Sequence, residues 1–312
     1  MDKATINQYN INSPLLSSSH RIAFISDIHS DKKKLELIID ILKELQVSII
    51  LLGGDTIDSN KNKYENDKIK EILQELSKTV NIFISIGNHD MIYFENNSCW
   101  KKHEVESREL EFWKDLNSIN SRNLHISSLP INMPTITIWP LSNDIDIFAL
   151  NLPIGYYLNR EQNIDFYRYL EILKSVSIEA KKFNILLCHS PKNVINDGRV
   201  SDYLDFLKKF NLILSGHMHG GLVPQCIRNE NFGGGFVGPY TSLFPSHAYG
   251  IVKTDNTISL TTGGVTKIAG SSKPRFLTNH NPISELIDYV YPPELELLDL
   301  SPGEATTLKK VR

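Results

Sequence analysis

Seven residues with metal-binding side chains share one kind of position in this chain: each closely follows a short apolar run. Asp27 and His29 come after RIAFIS, Asp55 after SIILLGG, Asn88 after NIFISIG, His189 after NILLC, and His217 and His219 after LILSG. Asp58, His89 and Asp90 stand beside them. Each element alone is weak. A strand-end aspartate also serves as a helix N-cap, and Gly-His-Met-His by itself divides evenly between a ligand pair and polar residues at a strand end. Together, in order, they point to one site. Imidazole nitrogens mixed with carboxylate oxygens suit Zn, Mn, Fe, Co or Ni better than Mg or Ca. No cysteine stands at any of these positions, which argues against a structural zinc. Seven donors exceed what one ion takes from protein, but they suit two ions if a carboxylate bridges. Such a pair, ~3.5–4 Å apart, can hold a shared hydroxide in line with a phosphate.

The apolar runs must position these groups. RIAFIS (21–26), VSIILLGG (47–54) and NIFISIG (81–87) read as strands, with helical apolar spacing over 31–45 and 64–78 between them. This alternation argues for an α/β fold with at least a partly parallel sheet, whose strand ends are where such folds build sites. Further strands are expected at 135–139, 146–152, 183–188 and 211–215, with helices at 103–118 and 163–176. HAYGIVK and TISLTTG read as a strand pair joined by the turn residues TDNT. In an extended GHMH segment, His217 and His219 would face the site together while Met218 turns away. No linker is evident. The expected organisation is a loose leader (1–20), one domain (21–270), and a C-terminal extension (271–312) packed along the outside of that domain.

Composition bounds the partners. With 312 residues, 41% hydrophobic and 22% charged, the chain can bury a large core. A net charge of -3 gives no reason to expect a polyanion held by bulk electrostatics, and no nucleic-acid-binding module is evident. Cys99, Cys188 and Cys226 are far apart and form no CxxC, as expected in a reducing compartment. No apolar run approaches the ~20 residues of a transmembrane helix. The expectation is a cytoplasmic protein, or a membrane-associated one if an N-terminal anchor has been removed.

Asp27-x-His29, Gly54-Asp55-x-x-Asp58, Gly87-Asn88-His89-Asp90, His189 and Gly216-His217-x-His219 together resemble the five-block signature of the calcineurin-like metallophosphoesterases. The resemblance implies two mixed β-sheets packed as a sandwich and flanked by helices, a four-layer fold with a dinuclear centre at the strand ends. It implies that Asp27, His29 and His219 bind one divalent or mixed-valence transition-metal ion and Asn88, His189 and His217 the other, with Asp55 bridging. His89 would not be a ligand. It would stabilise the transition state or protonate the departing oxygen, and Asp58 would hold its tautomer or else cap a loop. The implied reaction is attack on phosphorus by a metal-bridging hydroxide, without a covalent phospho-enzyme.

The family's protein Ser/Thr phosphatases continue the second block with Arg-Gly and carry Glu after GNH; here Ser59-Asn60 and Asp90 stand instead. The SGHMHGG block is more similar to the bacterial phosphodiesterase branch, some of whose members act on lipid-linked phosphates. The expected substrate is therefore a phosphodiester, either a small molecule or a lipid-linked phosphate reached by peripheral membrane contact. A phosphomonoesterase, a nuclease and a metal-binding scaffold without turnover are the alternatives. The loop 220–245 is expected to wall the pocket. Within it Arg228 would reach a phosphate or stay uninvolved, and Tyr156, after NLPIG, would bind substrate or serve packing.

Overall fold

The computed structural model describes residues 3–58, 61, 63–91, 113, 116, 122–128, 130, 135–152, 174–191, 205–228, 233–239, 243–254, 256–266 and 289–311. Four parallel strands occupy one half of a first sheet: β2 (His20–Ile25), β3 (Ile49–Gly53), β4 (Asn81–Ser85) and β5 (Leu124–Ile126). Ile25 pairs with Leu52 and Leu52 with Ile84, so the strands end level with one another. Whatever follows them emerges at one edge.

Helix α1 (Lys32–Glu44) connects β2 to β3, and α2 (Lys63–Leu76) connects β3 to β4. Asp31 caps α1 by accepting a bond from the Lys34 amide at 3.1 Å. Leu35, Ile38, Ile39 and Leu42 form its buried stripe. Just beyond its end, Gln46 has a φ of 53° that turns the chain so that Val47 and Gln46 donate to the Leu42 and Lys43 carbonyls.

The second sheet takes β6 (Thr135–Pro140), β7 (Ile145–Asn151), β8 (Phe183–Cys188), β9 (Leu212–Ser215), β10 (Gly250–Thr254) and β11 (Thr257–Thr261) in the order β10-β11-β9-β8-β7-β6. Here β7, β8, β9 and β11 run parallel, with antiparallel edges. Alternation along the strands builds the layers. Ile22, Phe24, Ile49 and Leu51 pack against Ile145, Ile147, Ile185 and Leu187 between the sheets. Ala23, Ile25, Ile50 and Leu52 turn to the opposite face, where the α1 and α2 stripes meet them. Burying each large side chain contributes roughly 1.5–3 kcal/mol. On the far face of the second sheet, Phe148 meets Phe210 edge-on at 5.2 Å, within the same cluster as Phe206 and Leu207. The fold is the expected sandwich of two mixed sheets with helices outside.

Two expectations about the chain ends are corrected. Thr5–Ser13 is not a loose leader but strand β1, and the tail holds β12 (Glu294–Pro302) and β13 (Thr307–Lys310). All three extend the first sheet, in the order β13-β1-β12-β2-β3-β4-β5. Strand β12 lies inside the sheet, parallel to β1 and antiparallel to β2, and its leucines are buried. The asparagines of β1 hide a two-residue period carried by Tyr9, Ile11 and Ser13. Acidic residues and the preceding Pro292-Pro293 hide β12 in the same way. Most of the expected helices at 103–118 and 163–176 lies outside the described residues, though Trp113 and Leu116 are helical and buried.

Candidate metal centre

The seven candidate ligands gather where β2, β3, β4, β8 and β9 end. Asp27, His29 and His219 form one group with ligand atoms within 4.8 Å of one another, and Asp55, His189 and His217 form another. Asp55 joins the two: its Oδ2 lies 3.1 Å from His189 Nε2 and 3.5 Å from His29 Nε2. A carboxylate so placed could serve both groups at once. The rings of His29 and His219 stack at 5.2 Å, and those of His189 and His217 meet edge-on at 5.0 Å.

The chain reaches this arrangement through backbone that L-residues avoid. Asp27, His29, Asp55, His217 and His219 have φ of 57°, 49°, 53°, 66° and 48°, a region costing roughly 1–2 kcal/mol per residue. Hydrogen bonds between the turns hold them there. Asp27 N donates to the Gly54 carbonyl (3.0 Å), His29 N to the Asp55 carbonyl (2.9 Å), and His217 N to Asp27 Oδ2 (3.0 Å). Gly54, at φ 95°, could not carry a β-carbon, which would lie 2.7 Å from His189 Nδ1. The segment after β9 is therefore not extended as expected. Left-handed residues flank a helical Met218, which still points away and is buried with Val223, Ala248 and Tyr249.

Hydrogen bonding also sets the histidine tautomers. His189 Nδ1 lies 2.7 Å from the Gly53 carbonyl, and His219 Nδ1 lies 2.6 Å from the Thr266 carbonyl. A carbonyl only accepts, so both Nδ1 atoms carry hydrogen, and Nε2 of each ring is left facing a carboxylate. In a neutral His189 ring the Nε2 lone pair would face Asp55 Oδ2, an arrangement that needs a cation or a proton. Burial opposes charge on His189, but Asp55 outweighs it and raises the ring to about 9, so a proton serves where no cation does. Both ring nitrogens of His29 and the amide oxygen of Asn88 are buried without a hydrogen-bond partner among the described residues. Burial, then the His89 charge, lowers His29 to about 4. Burial, then His189, holds His217 well below the ordinary imidazole value. Neutral rings and unpartnered oxygen donors fit metal ions.

His89 stands at the rim, with 19% of its side chain exposed, and its ring centroid is 4.6 Å from that of His29. Its Nδ1 is 3.3 Å from Asp58 Oδ1. Burial opposes a charge on His89, but Asp55 and the bond to Asp58 raise it to about 9; cations in the adjoining positions would oppose that rise. Asp58 is held through its amide by Ser30 Oγ (2.8 Å), and Ser30 in turn bonds Asn66 on α2.

Two proposed substrate contacts fare differently. Arg228 does not reach for a phosphate: its Nη1 lies 2.6 Å and 2.8 Å from the Glu294 oxygens, and its Nε donates to the Val223 carbonyl at 3.0 Å. Tyr156 lies outside the described residues. Sequence reasoning missed Asp90 as a supporting group. Its carboxylate accepts from the amides of Asp55 (2.9 Å), Ile57 (3.0 Å) and Gly87 (2.7 Å), tying two ligand turns together. Its place three residues after Gly87, from which a carboxylate can reach back to an amide as the acidic residue of a capping box does, was the available signal.

The family model of the calcineurin-like phosphoesterases matches residues 20–221. A Caenorhabditis elegans protein named as a metallophosphoesterase is 28% identical over 212 residues, which are 66% of this chain and 37% of that protein. A metallophosphoesterase of Aquifex aeolicus is 25% identical, over 70% of each chain. The chain thus spans well under half the length of the nematode protein. Among solved structures, purple acid phosphatase PPD1 from yellow lupin aligns with a TM-score of 0.47 and 14% identity, covering 84% of this chain and 47% of that one.

Proposed function

The chain belongs to the calcineurin-like phosphoesterase family, and from that premise we propose that it hydrolyses a phosphodiester at a two-metal centre. The observation that carries the reading is the pair of tautomer-fixed histidines, His189 and His219, aimed across Asp55 and Asp27 beside His29 and Asn88, whose ring nitrogens and amide oxygen have no hydrogen-bond partner among the described residues. Asp27, His29 and His219 would hold one ion, Asn88, His189 and His217 the other, and Asp55 both. Bound there, Mn, Fe, Zn, Co or Ni ions would supply an acidified water as nucleophile and offset the charge of the phosphate.

His89 faces the open side of this group. Its Nδ1 is engaged with Asp58, which leaves Nε2 to donate a hydrogen bond to the phosphoryl group and then its proton to the departing alkoxide. As the water oxygen bonds phosphorus, the P–O bond to the alcohol breaks, the alcohol leaves with the His89 proton, and the proton released by the water passes to solvent, from which His89 is recharged. Preference for a diester rests on the Ser59-Asn60, Asp90 and SGHMHGG departures from the protein-phosphatase pattern. A cytoplasmic setting is part of the reading; among the described residues Cys188 and Cys226 form no disulfide. No helix among the described residues is long and apolar enough to cross a membrane.

The test is hydrolysis of bis-p-nitrophenyl phosphate and p-nitrophenyl phosphate by protein reloaded in turn with Mn, Fe, Zn, Co and Ni. Wild type should cleave the diester faster than the monoester. Asp55→Asn should lose activity together with one bound ion. His89→Ala should lose about 10²–10⁴-fold on an alkyl leaving group and far less on p-nitrophenol. No turnover with any metal would end the hydrolase reading.

A lipid-linked phosphodiester is favoured over a soluble one by a second observation. The segment carrying Phe236, Leu243 and Phe244 docks on the turn after His219, where Phe236 N donates to the Gly221 carbonyl at 2.7 Å. Those three side chains are 49%, 70% and 76% exposed. Phe244→Ser should reduce cleavage of a phosphodiester lipid in micelles while sparing bis-p-nitrophenyl phosphate; equal effects on both would leave the soluble ester as the better reading.

A further inference from the structure

Arg228 and Glu294 lie beyond the segment that the family model matches, yet they lock onto the turns that present two of the candidate ligands. The Arg228 guanidinium sits directly under Gly220, the residue after His219, so closely that a β-carbon there would collide with it. The same guanidinium lies over the Tyr249 ring at 4.8 Å, and Tyr291 Oη bonds the Leu222 carbonyl at 3.3 Å. The turn is thus held from below by residues 228, 249 and 291.

Glu294 completes the connection. Its carboxylate takes Arg228 Nη1 at 2.6 Å, and both side chains are buried, at 8% and 2% exposure. Its amide donates to the Gly264 carbonyl at 3.1 Å. Two residues on, Thr266 donates through its amide to the Asp27 carbonyl (2.9 Å), binds the Ile28 carbonyl through Oγ1 (2.9 Å), and receives His219 Nδ1 (2.6 Å). The path closes on itself: His219, Gly220, Arg228, Glu294, Gly264, Thr266 and back to His219, with Asp27 attached.

We propose that the buried Arg228–Glu294 pair is a positioning device for the metal position built from Asp27, His29 and His219. Through it, the carboxy-terminal strand β12 sets the aim of the His219 ring. The inference rests on the two-metal reading and adds residues to it. The pair touches neither metal nor substrate, so its effect falls on occupancy of one position. Groups that orient a ligand in this way typically govern affinity by 10–100-fold.

Removing one partner alone would leave a buried charge and threaten folding, so the decisive variant is Arg228→Met with Glu294→Leu. Arg228→Lys is its milder companion, keeping the charge but losing the planar fork beneath Gly220. Arg21→Met serves as control, because Arg21 pairs with Asp299 on the same strand at an exposed site away from these turns. Each protein is titrated with Mn(II), with bound ions counted by mass spectrometry and their coupling followed by electron paramagnetic resonance.

Wild type and Arg21→Met should bind two coupled ions. The double variant should hold the second ion at least 10-fold more weakly and show an uncoupled six-line spectrum, with Arg228→Lys between. If the double variant binds two coupled ions as tightly as wild type, the positioning role is wrong. If Arg21→Met weakens the second ion equally, the effect belongs to β12 stability and the role is again wrong. If wild type itself binds fewer than two ions, the two-metal reading falls, and this inference with it.

Discussion

A buried imidazole without a hydrogen bond is costly unless something else binds it, and His29 presents two nitrogens with no hydrogen-bond partner among the described residues, at 1% side-chain exposure. That is why residue types alone marked this site: His, Asp and Asn at successive strand ends have few other reasons to be buried together. Supporting residues were less legible because their partners are backbone amides or lie far along the chain. Asp90 serves three amides across two turns, and Arg228 finds Glu294 across 66 positions. For Asp90 the consequence can be measured. Asparagine in its place keeps one acceptor oxygen and turns an NH₂ group towards at least one amide donor. Asp90→Asn should lower stability by roughly 2–4 kcal/mol in urea unfolding, given about 1–3 kcal/mol per stranded buried group. Metal affinity should fall with it. Wild-type values for both would show that the turns hold without Asp90.

The elements were legible wherever burial is complete on both faces: β3, β7, β8 and β9 are buried at every residue and mostly apolar, with Asp146, Asn151, Asn184 and Ser215 as the polar exceptions. The joints between sheets were not, because they depend on single polar residues. Asn151, at the end of β7, accepts from Ser85 Oγ (2.9 Å) and Ile86 N (3.0 Å) at the end of β4, and donates to the Ser128 carbonyl (2.9 Å). It pins the two sheets together just before Gly87-Asn88. Asn151→Leu should cost roughly 2–4 kcal/mol by stranding these groups, and a loss under 0.5 kcal/mol in thermal or urea unfolding would contradict that role. Asp144, in the turn between β6 and β7, accepts from Ser17 N and Ser17 Oγ, both at 2.6 Å, and from Ser142 Oγ at 2.5 Å. Burial works against this carboxylate, but the three bonds hold its pKa well below the usual range. A depressed folded pKa stabilises above the unfolded value of ~3.9 and is lost as pH falls below it. Wild type should therefore exceed Asp144→Asn by about 1–2 kcal/mol at pH 7, and the gap should narrow as pH drops below about 4. A gap independent of pH would assign the effect to packing.

At the scale of the whole molecule, the apolar runs of residues 21–266 pointed to an α/β fold with a partly parallel sheet and the family resemblance to the sandwich, while the strands that complete its first sheet were hidden in polar sequence. The metal ligands all stand on segments between β2 and the turn after β9, so a chain cut to residues 20–288 would keep every candidate ligand. It would lose β1, β12 and β13. In the intact sheet β12 bonds β2 along one edge and β1 along the other, and Leu297, Leu298 and Leu300 are buried there at about 1% exposure or less. Without them β2 becomes an open edge carrying Ile22 and Phe24, which are fully buried in the complete protein. Glu294 would be gone as well, leaving the buried Arg228 guanidinium without its carboxylate. The shortened chain should therefore lose cooperative thermal unfolding, bind a hydrophobic dye at 25 °C and retain fewer than two metal ions. Removing only residues 1–4, which precede β1, should change none of these. A cooperative transition and full metal occupancy in the 20–288 chain would mean that residues 20–288 fold by themselves and that β12 merely decorates them.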